Sequence, residues 1–345
     1  MAGKPIEMRN KKTKEQLENL KTQVEETLSQ VDFVIGYAKG YDVLHPTPLF
    51  VRSTKDAQAL IWDDFCINNL ATYLPSQKRP GGLFHPHEKI GLVVKGCDSR
   101  AVIQLLQEGI IDRENFKIIG ISCQGKVDVK KLKNRVPIER VESAEIKEGS
   151  IELTVDSRGQ KYPLEEVLYS KCLSCEYPTP LIYDRLVGGE GSLRSKGPKE
   201  FAQDPYHDVE EFEKKGVNER LDFWEQEFSR CLRCYACRDI CPFCYCQFEC
   251  IAQTRIPHWL SQKTASKENK FFHMFRAMHL AGRCTECGEC ERACPVDLPL
   301  LLLHKKMNKK VSELFGYRSG INPKLRPPLT IFQPEEKNIE EERWE

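Results

Sequence analysis

A four-cysteine run that occurs twice with identical spacing constrains this chain more than any other feature. The first copy reads Cys231-x2-Cys234-x2-Cys237-x3-Cys241-Pro242 and the second Cys284-x2-Cys287-x2-Cys290-x3-Cys294-Pro295. Three thiolates two residues apart can wrap one face of a four-iron cubane, because the loop between them is short. The fourth cysteine of such a run ligates the other cluster. The spacing therefore assigns one [4Fe–4S] to Cys231, Cys234, Cys237 and Cys294, and a second to Cys284, Cys287, Cys290 and Cys241. The proline after each fourth cysteine fits a chain that turns off with a fixed φ. A disulfide framework would want an oxidising compartment. Structural zinc favours two separated CxxC pairs over a repeated four-cysteine run.

With 345 residues the chain has room for about two or three domains. Lys plus Arg total 52 and Asp plus Glu 51, so no basic field is available to hold a nucleic acid. The sixteen cysteines are better explained by thiolate-bound metal than by bridges. The start, Met1-Ala-Gly-Lys-Pro5, lacks the apolar core of a signal peptide. Leu298-Pro-Leu-Leu-Leu-Leu303 is apolar but far short of the ~18 residues of a membrane span. The expectation is a reduced, cytoplasmic setting without a transmembrane segment. Oxygen-sensitive clusters add an anaerobic one.

Residues 10 to 30 carry Leu17, Leu20, Val24 and Leu28 at steps of three and four, the stripe of an amphipathic helix. After Asp32 the pattern becomes strand-like at Phe33–Ile35 and Leu49–Arg52, with glycine and proline between. Asp63-Asp-Phe-Cys66-Ile-Asn-Asn-Leu70 is expected to open a helix. Lys89–Val94 reads as a buried strand and Gly96-Cys97-Asp98-Ser99-Arg100 as a helix start, with Asp98 or Ser99 as N-cap. That helix stops at Gly109, and Phe116–Ser122 is a second strand. This is a βαβ unit, so its strands should be parallel. Cys97 and Cys123 then share the carboxyl end of one sheet, where open α/β sheets bind ligands. His85 and His87 are expected in a loop. No GxGxxG follows a strand, so a Rossmann dinucleotide site lacks support.

Ile151–Val155 alternates and Ser157-Arg-Gly159 marks a turn, giving a strand pair. Cys172-Leu-Ser-Cys175 has ligand spacing, and with Cys97 and Cys123 it makes four thiols. Those four suffice for a third [4Fe–4S], with a zinc site or a CxxC redox pair as alternatives. Gly188–Asp204 reads as a linker, and Asp208–Ser229 as a charged helix with Phe212, Leu221, Trp224 and Phe228 on one face. Cys66, Cys244, Cys246 and Cys250 are four spare thiols. They could form a further cluster or pack as small hydrophobes. Trp259–Leu280 is expected to be helix-rich. Leu298–Leu314 reads as a helix with Lys305, Lys306, Lys309 and Lys310 outward, followed by a proline-rich, acidic-ended tail.

Four segments carry a family resemblance: Lys95-Gly-Cys-Asp-Ser-Arg100, Gly120-Ile-Ser-Cys123-Gln-Gly125, Cys172-Leu-Ser-Cys175 and Asp184-Arg-Leu-Val-Gly188. Over about Asp32 to Gly188 the chain resembles the flavin-containing beta subunits of formate dehydrogenases and deazaflavin-reducing hydrogenases. Arg230-Cys-Leu-Arg-Cys-Tyr-Ala-Cys237, Cys241-Pro-Phe-Cys-Tyr-Cys246 and Leu280-Ala-Gly-Arg-Cys284 are similar to dicluster domains of heterodisulfide-reductase-associated subunits. They are also similar to the iron–sulfur subunits of anaerobic sulfite reductase and sulfhydrogenase. The resemblance implies that Cys97, Cys123, Cys172 and Cys175 hold a cluster beside a flavin, FAD. It also implies a catalytic oxidoreductase subunit, or heterodisulfide-reductase-like subunits, as partners.

The resulting expectation is an α/β domain with a parallel βαβ core, followed by a mostly α-helical dicluster domain. The divisions are an N-terminal helix (1–31), the α/β flavin and cluster domain (32–190), a linker and helix (191–229), the dicluster domain (230–318) and a tail (319–345). The leading functional reading is an iron–sulfur electron-transfer subunit of an anaerobic oxidoreductase complex. A self-contained flavoenzyme that reduces a deazaflavin or similar carrier is the alternative, and a zinc scaffold is a third. No catalytic Ser/His/Asp set or carboxylate pair stands out.

Overall fold

A computed structural model describes residues 11–78, 83–85, 87–147, 149–188, 204–246, 250–253, 260–261 and 263–332. The start of the chain, most of the expected linker, the beginning of the 259–280 segment and the acidic tail end lie outside them. The described strands are β1 (Phe33–Ala38), β2 (Thr47–Val51), β3 (Ile90–Val94), β4 (Phe116–Gly120), β5 (Val141–Lys147), β6 (Ser150–Val155), β7 (Arg158–Pro163) and β8 (Arg185–Leu186). The helices of the first half are α1 (Lys11–Thr27), α2 (Thr54–Ala57), α3 (Gly96–Gln107), α4 (Val129–Lys133), α5 (Leu164–Val167) and α6 (Ser170–Leu173). Those of the second half are α7 (His207–Glu213), α8 (Val217–Ser229), α9 (Ala236–Asp239), α10 (Ser266–His279), α11 (Glu289–Arg292) and α12 (Leu300–Phe315). The architecture is an α/β unit followed by a helical one.

The main sheet has the order β2-β1-β3-β4-β8, with β2 antiparallel to β1 and the other pairs parallel. Every residue of β3 is buried, which is why its sequence is apolar without alternation: helices or loops cover both faces. Leu17, Leu20 and Val24 of α1 bury into this core, each worth about 1.5–3 kcal/mol against exposure. The first-half helix stripe is thus spent on the sheet.

A second sheet, β5-β6-β7, is antiparallel throughout. The sequence marks β6 and β7 but not β5, because a register shift between Val141 and Ser143 breaks the period-two pattern that reveals a half-buried strand. Four further expectations need correction. Asp63–Asn69 is irregular, and a 3₁₀ run begins only at Leu70. The Asp63 carboxylate accepts the Phe65 N–H at 2.9 Å and the Asn69 side chain the Ala71 N–H at 3.0 Å, turns that compete with a helix. At α3 the N-cap is Lys95 rather than Asp98 or Ser99. Lys305 is only 4% exposed, with its ammonium 2.6 Å from Asp208 of α7, so α7 covers what reads as an outer face of α12. Leu221, conversely, is exposed.

The two halves are joined by polar contacts that place the cysteines. Arg283 clasps Glu108 with two hydrogen bonds of 2.9 and 2.7 Å, and Tyr245 donates to the same carboxylate at 2.7 Å. Thr72 donates to the Ile240 carbonyl at 2.7 Å and Lys130 to that of Cys294 at 2.9 Å.

Candidate metal centres

The repeated cysteine spelling gives a repeated backbone. Arg233 and Tyr235 sit in the left-handed region with φ of 55° and 62°, and Glu286 and Gly288 repeat this with 59° and 72°. The Arg233 and Glu286 amides each lie 3.4 Å from the sulfur two residues earlier, Cys231 and Cys284. Non-glycine residues held there cost of order 1–3 kcal/mol each unless the surroundings enforce it. Both loops are therefore strained in the same sense, with amide N–H groups turned to sulfur, as thiolate ligands require.

Cys231, Cys234, Cys237 and Cys294 line one pocket of about 320 Å³ with Phe272, His273 and Leu298. The fourth cysteine of the second run thus stands with the three of the first. Burial pushes the Cys237 thiol up to about 11, with Cys231 and Cys294 adding to it. In the second group, burial raises Cys284, reinforced by Cys287 and Cys290. A hydrogen bond with Cys244, then burial, raises the Cys241 thiol, and Cys287 adds to it. Among the described residues no three His, Cys, Asp or Glu side chains converge closely enough for a single metal ion, and a four-iron cube needs its sulfurs farther apart than one ion does.

A third group forms where β3 and β4 end. Cys97 opens α3, Cys123 follows β4, and the α6 segment brings Cys172 and Cys175. Gly96 is obligatory here: a Cβ would fall 1.6 Å from the Tyr177 carbonyl oxygen, so only glycine lets the Cys175 segment lie against the start of α3. Cys97, Cys172 and Cys175 line a pocket of about 530 Å³. Cys123 does not line it, but its charge reaches Cys97, Cys172 and Cys175.

Buried cations surround this group. Lys95, 1% exposed, donates to Tyr37 Oη, the Asn68 carbonyl and Asp98, each at 2.8 Å. Lys126 donates to the Asp63 carbonyl at 2.6 Å and stands 4.0 Å over the Trp62 ring. Burial alone would depress the Lys126 and Lys171 ammoniums. Cys123 leads the charges that raise the first, and Cys97 and Cys172 those that raise the second. The four thiols thus lie among Lys95, paired with Asp98, Arg100, 3.5 Å from Glu286, and Lys126 and Lys171, whose ammoniums the thiols hold up. Thr285 and Glu286, from the second cysteine run, line the same pocket, so the third site abuts the second.

Of the spare cysteines, Cys244, Cys246 and Cys250 lie near one another, Cys246 feeling the other two, while Cys66 stands apart from them. Cys66 is wholly buried in the sheet core, and its sulfur lies 3.4 Å from the Asp63 carboxylate. Cys250 lies in the core of the helical half. Cys246 is exposed, and Cys244 packs beside Cys241. His85 and His87 lie in a loop.

Sequence reasoning missed the buried polar residues beside the cysteines: Lys171, His273 and Arg276. A signal existed for α10. Asn269, His273 and Arg276 recur at steps of four and three on the face shared with Phe272, so polar side chains sit in what would otherwise be a core stripe.

Residues 227–298 match the 4Fe-4S dicluster domain family, so the helical half carries an iron–sulfur domain. The chain is 25% identical over 358 residues to the F420-dependent formate dehydrogenase subunit beta of Methanocaldococcus jannaschii, covering 87% of this chain and 90% of that protein. It is 25% identical over 356 residues to the F420-dependent formate dehydrogenase 1 subunit beta of Methanococcus maripaludis, covering 87% and 89%. A chain from the xenon-derivatised F420-reducing [NiFe] hydrogenase complex of Methanosarcina barkeri aligns at a TM-score of 0.42 and 17% identity, covering 59% of this chain and 90% of that one. No helix among the described residues is long and apolar enough to cross a membrane.

Proposed function

We propose that this chain is the iron–sulfur electron-transfer subunit of an oxidoreductase complex, serving one-electron traffic between a catalytic subunit and a flavin or other carrier. The observation that carries the reading is the adjacency of three cysteine groups. Cys237 and Cys290 feel one another across the first two groups, and Lys171 spans from Cys97 and Cys172 to the Cys287 carbonyl. Clusters held by these thiolates would supply one-electron storage at potentials set by charge, hydrogen bonds and burial.

The chain's own residues do the rest. Cys231, Cys234, Cys237 and Cys294 would hold the first cluster, Cys284, Cys287, Cys290 and Cys241 the second, and Cys97, Cys123, Cys172 and Cys175 the third. Lys126 and Lys171 would offset part of the negative charge of the third site, Lys95 and Arg100 being paired with Asp98 and Glu286. Its place at the carboxyl ends of β3 and β4 is where an open α/β sheet presents a ligand crevice, and FAD is the carrier proposed there. The partner is a catalytic subunit of the formate dehydrogenase kind, in keeping with the names of the relatives. A heterodisulfide-reductase-like assembly is the second choice.

Anaerobic purification with natural partners tests this. The expected result is about twelve irons per chain with equal acid-labile sulfide, and flavin in the complex. Zinc without sulfide defeats the reading. Flavin bleached by a small carrier in the isolated chain supports the self-contained flavoenzyme instead.

A further inference from the structure

The buried face of α10 points one cation at both cysteine runs. Arg276 is 3% exposed. Its Nη2 donates to the Cys237 carbonyl at 2.8 Å, and its Nη1 donates to His304 Nε2 at 2.8 Å. Cys237 belongs to the first run. The charges that act on Arg276 most strongly are those of Cys290 from the second run, Cys237 and Cys241 from the first, and Cys244 from neither. Among the described residues no carboxylate pairs with it. His304, accepting through Nε2, is neutral and supplies no countercharge.

Cys244 supplies part of the countercharge: a hydrogen bond with Cys241, then the charge of Arg276 and a hydrogen bond from it, hold its thiol below the ordinary range, as a buried guanidinium needs a nearby anion. Resident thiolate-bound clusters at both flanking sites would add further negative charge on either side of it. Each added electron makes such a site more negative, so a fixed cation between two sites favours the reduced form of both.

We propose that Arg276 sets the electron affinity of the first two cluster sites together, as a single cation shared between them; this rests on the iron–sulfur reading above. It is a positioning residue in charge rather than a ligand. His273 adds an asymmetry. Its Nε2 lies 3.3 Å from Cys231 Sγ, and a metal-bound thiolate only accepts, so Nε2–H donates there and favours reduction at the first site alone.

The test compares wild type, Arg276→Lys and Arg276→Met, purified anaerobically as the full chain with its partners. Iron and sulfide are counted, and cluster potentials are titrated by electron paramagnetic resonance. Arg276→Met is expected to keep wild-type iron while both sites shift to more negative potentials. The ratio of reduced to oxidised cluster at fixed poise should fall about tenfold or more at each site, ~59 mV for a one-electron couple. Arg276→Lys should retain most of the wild-type potential. His273→Leu should shift the first site and leave the second unmoved.

Unmoved potentials in Arg276→Met, a shift at one site only, or an equal shift in Arg276→Lys overturns the proposal. If Arg276→Met loses iron, Arg276→Gln, which keeps a donor for the Cys237 carbonyl, replaces it and must show the same paired shift. Iron loss in both neutral variants also overturns it, since the role would then be assembly. Wild type without iron and sulfide sinks the functional reading itself, a result distinct from intact clusters with unmoved potentials.

Discussion

Lys171 of the α/β half donates through Nζ to the carbonyl of Cys287 in the helical half. This contact ties the third cysteine group to the loop of the second. Hydrogen bonds from a charged donor are worth about 1.5–3 kcal/mol, and the Lys171 stem also fills the space beside Gly288. Lys171→Met is expected to lower unfolding stability by about 2 kcal/mol, measured by anaerobic guanidinium denaturation. A loss under about 0.5 kcal/mol, the low end for any hydrogen bond, would show that the contact does not hold the halves together.

The cysteines divide into ligating and packing sets, and iron counting separates them. Cys175→Ser is expected to cost about four irons per chain, since Cys175 lies with Cys97, Cys172 and Cys123. Cys66→Ser should leave the iron count unchanged, because Cys66 is enclosed by the sheet core beside Asp63. Equal iron loss in the two variants contradicts the division.

Much of this site is written in local spacing. The two runs at Cys231 and Cys284 announce their loops, and the apolar stretch at β3 followed by Gly96 announces the βαβ unit. What stays hidden is set by partners distant in sequence. Lys171 looks like a surface lysine until Cys287 is placed beside it, and Arg276 looks like a solvated helix residue until both runs close around it. Lys305 misleads in the same way, because its partner Asp208 is on another helix. Asp63 and Asn69 fail differently: their side chains bond to nearby amides, so helix-like composition yields turns.

The Glu108–Arg283 clasp should be a strong determinant of how the halves dock. Glu108 has a side chain 3% exposed, and Arg283 is its ion-pair partner at 2.7 Å. Removing one member of a buried pair costs about 3–5 kcal/mol, because the other charge is left unpaired. Arg283→Met is expected in that range by denaturation. The double variant with Glu108→Gln should recover part of the loss. Additive losses in the double variant would mean that the two charges do not act as a pair.

Gly96→Ala is expected to disrupt the third site without touching a cysteine. The new methyl would need the Tyr177 carbonyl to move from 1.6 Å, and overpacking of this kind costs typically 1–3 kcal/mol or more. Since Tyr177 follows Cys175 closely, the expected readout is loss of the third site's iron with the first two sites' spectra retained. Full iron with wild-type stability would show that the Cys175 segment is not held against α3.

His304 makes a testable pH dependence. It is 2% exposed, and burial, then Arg276, holds its imidazole well below the ordinary range. The unfolded chain, with a histidine pKa of about 6.5, therefore takes up a proton before the folded chain does. Stability rises with pH wherever the unfolded state binds more protons. The contribution of neutral His304 is thus complete above pH ~6.5 and is lost progressively as pH falls below it. His304→Gln keeps an acceptor for Arg276 but does not titrate. Its anaerobic melting temperature should fall less than that of wild type between pH 7 and pH 5, and parallel declines would remove His304 from the account.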